Sequence, residues 1–417
     1  MKRNLLELRV WKEDVTGNMN NSSNLTSNHS GTDKNRVFFL VAIFLLIINR
    51  GMLMGNTSHI ALIVIVLFIS LLFGFRIKVF KNSSLIFIST INALIIGFVR
   101  YPSLYDVFKD AFYLFMPIIA IYLGAIIAER FDKKTFIKAI NISAIILAIF
   151  FLIQGITTQG IARLISPRET RDEYGDVLFS VIIIFSMGLY LYRLIYKKKE
   201  LQTSDNISFL IQLLSLYASA SRTFWVCFII IVICMLYKII FQNSRHIVFG
   251  IISIVVLTAG VLTINPDLRK IVDKSITEMT IREYKTAKDI NNNYRGYEGY
   301  MAMKAFEAQS TIFKIFGPGF GTLVDIKNKE LVGSRYIPIT HNGYIYILIK
   351  LGYIGLLVYI LWFIGTIRTF VRAPICSSQD EILKILSIGG VLCLLFSNSV
   401  IWGIFNTEMN FVLILIG

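Results

Sequence analysis

Residues 223–241 read TFWVCFIIIVICMLYKIIF, an apolar run whose single charge is Lys238. A helix that crosses the hydrocarbon core of a bilayer needs about 20 mostly apolar residues. Similar runs recur along the 417-residue chain, which is 55% hydrophobic and only 16% charged. Soluble proteins have about 25% charged residues. The composition therefore excludes an ordinary soluble protein and predicts an all-α polytopic membrane protein.

The hydropathy pattern predicts about twelve transmembrane helices. A polar tail, 1–36, comes first; nine spans fill 37–264, an outer loop with short helices occupies 265–340, and three spans fill 341–417. The predicted spans are 37–55, 60–75, 84–99, 105–128, 137–156, 177–195, 206–221, 223–241, 247–264, 342–365, 382–398 and 400–416.

The charge distribution predicts which side each loop faces. The chain has 42 Lys and Arg against 26 Asp and Glu. These cations lie in short clusters between apolar runs, whereas a nucleic-acid-binding protein carries them on one soluble face. With the N-terminus in the cytoplasm, the inner loops hold 22 cations and the short outer connections six. This asymmetry follows the positive-inside rule, so we expect segment 265–340 to lie outside.

His341 opens the tenth predicted span in the sequence His-Asn-Gly-Tyr, and Gly352 and Gly355 follow it. An imidazole at the membrane surface can accept a proton from a hydroxyl group. The two glycines would let a neighbouring helix approach closely. Considered alone, a histidine at the end of a span is also compatible with a purely structural role.

Two outer arginines are candidate anion ligands. Arg222 lies in Ser-Ala-Ser-Arg-Thr between two apolar runs, and Arg295 lies in Asn-Tyr-Arg-Gly-Tyr between Tyr294 and Tyr297. A guanidinium group offers five donors that suit phosphate oxygens. The alternatives are a snorkelling interfacial arginine at the first position and a solvated loop charge at the second.

Ionisable residues inside predicted spans are costly and are therefore also candidates for a site. Lys350 either belongs to such a site or pairs with an acid such as Glu408 of the last span. Asp106, Lys109 and Asp110 share one helix face, where they line an acceptor path or pair with each other.

A further basic cluster lies in the predicted outer loop between the fifth and sixth spans. Arg163, Arg168 and Arg171 follow one another there. They either steer an anionic lipid carrier by weak electrostatic attraction or form a solvated loop surface.

Taken together, these motifs resemble the hallmark of the O-antigen ligase and Wzy-type polysaccharide polymerase family. The resemblance comprises His341-Asn342 followed after nine residues by Gly-x-x-Gly, and Ser-x-Ser-Arg-Thr around Arg222. Tyr294-Arg295 with the glycine-rich turn 317–321 is similar to the family's second arginine segment. The order and spacing agree over roughly 215–360. Lys350 departs from the pattern, because the family frequently has an acid there.

The resemblance implies a GT-C-like, metal-independent membrane glycosyltransferase without a cofactor, and we expect a polymerase of O-antigen or capsule repeat units. Such an enzyme moves glycan from undecaprenyl pyrophosphate to an acceptor sugar hydroxyl at the outer face of the bacterial cytoplasmic membrane. Its expected partners are this lipid-linked oligosaccharide, membrane lipid and a chain-length regulator, but no nucleic acid. The expected catalytic residues are His341 as base and Arg222 and Arg295 as pyrophosphate ligands. The expected substrate contacts are Asn342, Tyr344, Tyr294 and Arg168.

Two alternatives remain open at this point. A ligase of the same family would transfer finished glycan to another acceptor. A polysaccharide flippase or other transporter belongs to a different class and is expected to show internal repeats with broken helices in matching halves. The sequence shows no such symmetry, which favours the enzyme.

Overall fold

The protein is described from a computed structural model, which covers residues 29–48, 62–68, 70, 83–100, 103–174, 179–242, 277, 279–327 and 335–417. The predicted span 247–264 lies outside the described residues. In the part that is described, the longer helices follow the apolar runs. The first part of the chain contains α1 (His29–Ile48), α2 (Ser84–Arg100), α3 (Leu104–Arg130), α4 (Lys133–Gln159), α5 (Ala162–Ile165), α6 (Pro167–Tyr174), α7 (Ile182–Tyr196), α8 (Thr203–Ala218) and α9 (Arg222–Gln242).

The second part of the chain begins with short elements. It contains α10 (Ala287–Asn292), α11 (Tyr294–Glu307), α12 (Thr311–Phe316), β1 (Val324–Asp325), β2 (Tyr336–Ile337), α13 (Gly343–Arg372), α14 (Ser378–Ile401) and α15 (Asn410–Ile416). Strands β1 and β2 pair antiparallel, with Val324 opposite Ile337. The segment 265–340 therefore contains ordered short helices where the structure describes it.

Four of the described helices, α3, α4, α13 and α14, are long and apolar enough to cross a membrane. Shorter apolar helices include α2, α7 and the first part of α9. The all-α membrane class predicted from composition is therefore confirmed. The exact number of twelve spans stays a prediction. Helix α1 begins at His29, eight residues before the predicted span and inside the predicted polar tail.

Polar caps set the beginnings of the long helices. Ser103 accepts a hydrogen bond from the backbone of Asp106 before α3, and Asp132 accepts one from Thr135 in α4. Asn342 accepts two at the start of α13, from the backbone N–H groups of residues 344 and 345. The first N–H groups of a helix have no partner within the helix, so these side chains fix where each one begins.

The last predicted span, 400–416, is wrong as a continuous helix. Helix α14 runs to Ile401 and ends at Trp402, whose φ of 50° lies in the left-handed region. Two 3-10 turns, Gly403–Phe405 and Thr407–Met409, separate it from the seven-residue helix α15. The polar sequence Asn-Thr-Glu at 406–408 provides local hydrogen-bond partners that compete with a regular helix.

The glycine-rich turn 317–321 lies among the helices rather than outside them. Phe320 donates its backbone N–H to the Ala93 carbonyl of α2 at 3.0 Å, and Gly319 donates to the Lys350 carbonyl of α13 at 3.1 Å. Lys350 lies seven residues into α13, or about 10 Å along its axis. The backbone of the turn therefore finds its partners in the surrounding helices. We call it the re-entrant turn, because it folds back between α2 and α13.

Helix α13 is broken where it meets this turn. Gly352 has a φ of 69°, and a side chain at this position would lie 2.4 Å from the backbone nitrogen of Gly317. Gly355 faces Leu351 of its own helix. The expectation that these two glycines admit a neighbouring helix is confirmed at Gly352, where a Cβ atom would lie 2.6 Å from the Ile315 carbonyl oxygen of α12, but not at Gly355. A left-handed φ is readily adopted by glycine alone.

A buried ion pair holds the turn in place. Lys350 and Asp110 have no exposed side-chain surface, and Lys350 Nζ lies 2.5 Å from Asp110 Oδ2. Asp110 also accepts hydrogen bonds from the Gly321 N–H at 2.7 Å and the Tyr346 hydroxyl at 3.1 Å. The suggested pairing of Lys350 with Glu408 was therefore wrong. Asp110 pairs across helices rather than with its neighbours on α3.

Candidate active site

The candidate residues gather at one end of the helix bundle. His341 lies just before α13, and its carbonyl accepts a hydrogen bond of 2.6 Å from the N–H of Trp402 at the end of α14. Helices α13 and α14 therefore meet at this end. Gly343 lies against the side chain of Asn398 in the last turn of α14, so close that a Cβ atom would be 2.1 Å from Asn398 Oδ1. The turn before α13 therefore packs closely against the end of α14.

The packing of α9 brings Arg222 to the same end. Cys393 Sγ on α14 lies 3.5 Å from the Cys227 carbonyl on α9. Gly389, one turn earlier on α14, faces Ile231, one turn later on α9. The two helices are therefore antiparallel, and Arg222 at the start of α9 is level with the end of α14.

Helix α4 also ends here. Its first residue, Lys133, forms an ion pair with Asp380 at the beginning of α14, so its last turn lies level with the end of α14. Arg163 on α5 is buried and donates to Gln159 Oε1 at 3.0 Å. Arg168 is half-buried on the adjoining α6. A solvated loop surface was one of the two alternatives for this cluster, and it is wrong for Arg163, because this side chain is buried.

The imidazole of His341 contacts a carboxylate that the sequence reasoning missed. His341 Nδ1 lies 2.6 Å from Glu298 Oε2, and the backbone N–H of His341 donates to Glu298 Oε1 at 2.9 Å. The Glu298 side chain is 1% exposed, whereas that of His341 is 41% exposed. One carboxylate therefore holds both the backbone and the ring of His341, while part of the ring faces the surface.

Tyr294 completes this cluster. Its ring lies edge-on to that of His341, with a centroid distance of 5.8 Å. Burial raises the pKa of the Tyr294 hydroxyl, as do the charge of Glu298 and a hydrogen bond to it. The phenol therefore stays protonated at neutral pH and acts as a donor to the carboxylate. Arg295, the next residue of α11, is half-buried.

Glycines let α11 approach its neighbours closely enough to make these contacts. A side chain at Gly296 would lie 2.3 Å from the Thr280 carbonyl, and one at Gly299 would lie 3.3 Å from Ile345 of α13. Tyr297 donates its hydroxyl to the Ile326 carbonyl at 2.7 Å. These contacts fix α11 against the beginning of α13.

The two other predicted contacts next to His341 have intramolecular partners. Asn342 Oδ1 accepts the two backbone hydrogen bonds that begin α13. The Tyr344 hydroxyl donates to the Leu395 carbonyl of α14 at 2.9 Å. Both residues therefore position the turn that carries His341. Within the described residues, no group of three or more His, Cys, Asp or Glu side chains is placed to hold a metal ion.

Part of the chain matches a known protein family. The Wzy_C family model, described as O-antigen ligase, matches residues 207–360. This segment is therefore similar to O-antigen ligases. The resemblance predicted from the motifs is confirmed over α8 to the first half of α13, and it indicates a ligase or polymerase type of function on lipid-linked polysaccharide in a membrane. No curated protein matches the chain.

The segment that matches the family model contains most of the site. Arg222, Arg295 and His341 lie within it, as does Glu298, whereas Arg168 precedes it. A sequence signal for Glu298 did exist: it lies one helical turn after Tyr294 and Arg295 and faces the same side of α11. Its partner, however, is 43 residues further along the chain. Only the fold could identify that contact.

Proposed function

We propose that the chain is a polymerase of surface polysaccharide, O-antigen or capsule. It transfers glycan from undecaprenyl pyrophosphate to an acceptor sugar hydroxyl at the outer face of the bacterial cytoplasmic membrane, without a metal ion. One observation carries this proposal. The partly exposed imidazole of His341 lies at the same end of the bundle as Arg222, and both residues belong to the segment that matches the O-antigen ligase family.

In the proposed reaction, the acceptor oxygen attacks the anomeric carbon of the donor glycan and loses its proton to His341. The bond from that carbon to the pyrophosphate oxygen breaks, and undecaprenyl pyrophosphate leaves with the electron pair. Arg222 and Arg295 stabilise the charge that develops on the leaving group, because guanidinium donors match phosphate oxygens. Tyr294, Asn342, Tyr344 and Arg168 are proposed contacts for the sugar or the carrier.

A ligase is the second candidate, and the description of the matching family as O-antigen ligase favours it. The same base and arginines would act, and the acceptor would be a different molecule. Deletion of the gene distinguishes the two. Loss of a polymerase, whose proposed partner is a chain-length regulator, leaves products of a single repeat unit. Loss of a ligase leaves polymer on the lipid carrier and none on the final acceptor.

The catalytic residues are tested by complementation of the deletion strain. His341→Ala should abolish the ladder of repeat units at wild-type protein levels, and a normal ladder would refute the assignment. Arg222→Lys and Arg295→Lys keep the charge but lose the planar arrangement of donors, so transfer should fall sharply. Arg368→Lys is the matched control, because Arg368 is exposed near the other end of α13.

The proposed orientation is tested by cysteine labelling in intact cells. Cys376 is exposed between α13 and α14, at the bundle end opposite His341. It should be protected from a membrane-impermeant thiol reagent until the cells are lysed. Ser310→Cys, before α12, should react in intact cells. The reverse labelling pattern would place the candidate site in the cytoplasm and overturn the proposal.

A further inference from the structure

We infer that Glu298 is the positioning residue that makes His341 a base. The inference rests on the proposed function, because it concerns the same proton transfer. Because Glu298 is buried against His341, its proposed action is through the imidazole and not on the substrate.

The geometry of the contact fixes the ring in two ways. Glu298 uses one carboxylate oxygen for the backbone N–H of His341, at 2.9 Å, and the other for Nδ1, at 2.6 Å. A bond to the backbone alone would leave the ring free to rotate about its side-chain torsions. The second contact removes that freedom and turns Nδ1 towards the protein interior. The other ring nitrogen, Nε2, lies on the side of the ring away from the carboxylate.

The chemistry of a carboxylate decides which nitrogen carries the proton. An ionised carboxylate only accepts hydrogen bonds, so the neutral imidazole places its N–H on Nδ1. Nε2 then has a free lone pair, as a base requires. When Nε2 takes the proton of the acceptor hydroxyl, the resulting imidazolium lies beside a buried negative charge. The same arrangement supports the histidine in serine-protease triads.

The surroundings of Glu298 hold its carboxylate in place. Tyr294, one turn earlier on α11, hydrogen-bonds to it with a hydroxyl that stays protonated at neutral pH. Gly299 lets α11 lie against Ile345 at the beginning of α13. The carboxylate therefore comes from the 265–340 segment and the imidazole from the start of the tenth predicted span. The base is complete only when this segment is docked on α13.

The competing explanation is that Glu298 merely joins α11 to α13. A kinetic assay separates the two explanations. It uses the full-length protein in lipid nanodiscs with a lipid-pyrophosphate-linked oligosaccharide as donor. Glu298→Gln preserves length and one carbonyl oxygen for the His341 N–H. Its NH2 group, however, would donate to Nδ1 and move the ring proton to Nε2. We expect kcat to fall about 10²- to 10⁴-fold, with the KM for the donor within about twofold of wild type.

Three controls accompany this variant. Glu307→Gln changes an exposed carboxylate at the end of the same helix and should leave kcat unchanged. The double variant Glu298→Gln with His341→Ala should be no slower than His341→Ala, because both substitutions remove the same function, that of the base. Wild-type kcat in Glu298→Gln, with His341→Ala inactive, would overturn the inference and leave the proposed function intact. An active His341→Ala would instead refute the proposed function.

A measurement on the wild-type protein keeps the inference testable even if Glu298→Gln does not fold. The protein has four histidines. Nitrogen-15 NMR of histidine-labelled protein at alkaline pH, compared with His341→Ala, identifies the His341 signals. We expect the N–H on Nδ1. A ring proton on Nε2 would overturn the inference directly.

Discussion

The ion pair of Lys350 and Asp110 allows a sharp stability prediction. In Lys350→Met, Asp110 keeps its hydrogen bonds from the Gly321 N–H and the Tyr346 hydroxyl but loses its counter-charge. Because both side chains are fully buried, no water replaces the ammonium group. Removal of one partner from such a pair costs about 3–5 kcal/mol of the free energy of unfolding.

The double variant Asp110→Leu with Lys350→Met removes both charges. It should be less destabilised than the sum of the single variants, because neither charge is left buried alone. The assay is thermal unfolding followed by a thiol-reactive dye, since Cys227 and Cys393 are buried in the folded protein. Exposed Cys376 is replaced by serine in all variants.

Lys304→Met is the matched control for this experiment. Lys304 is an exposed lysine on α11, and its loss should leave the melting temperature nearly unchanged. Two results would refute the reasoning: a melting temperature of Lys350→Met equal to that of the control, or strictly additive effects in the double variant.

Three further predictions concern the backbone and the 265–340 segment. Gly352→Ala forces a left-handed φ on alanine and should lower thermal stability by about 1–3 kcal/mol, whereas Gly365→Ala, with open space around it, should not destabilise the protein in the same melts. Asn342→Ala removes a helix cap and should cost about 1 kcal/mol, and an unchanged melt would contradict the capping role. Arg335 lowers the pKa of Asp325 to about 2, so the stability that this pair gives the β hairpin should be complete above about pH 4 and lost as the pH falls through 2. Hydrogen exchange of the hairpin should show this loss in wild type but not in Arg335→Met.

Hydropathy predicted most of the helices, because apolar length is a local property of the chain. The predicted span 105–128 became Leu104–Arg130, and 382–398 became Ser378–Ile401. The hydropathy pattern was wrong at 400–416, where the apolar composition suggested one continuous helix. There the left-handed Trp402 and the polar residues that follow it decide the backbone.

Contacts between distant parts of the chain could not be predicted in the same way. Sequence reasoning identified His341 from its motif but not its partner Glu298. It also identified Lys350 and Asp110 as unusual intramembrane charges without pairing them, because 240 residues separate them. A buried charge signals that a partner exists, and only the fold shows which one it is.

The buried carboxylates of Glu298 and Asp110 contact residues at the beginning of α13 or just before it. Glu298 holds His341 immediately before the helix, and Asp110 contacts Tyr346 and Lys350 in its first two turns. The break at Gly352 comes directly after these turns. The beginning of α13 is therefore tied to α3, to α11 and to the re-entrant turn, and it is interrupted before the rest of the helix. The two buried acids therefore act on the part of the chain that precedes the break, and the geometry of the candidate base depends on them directly.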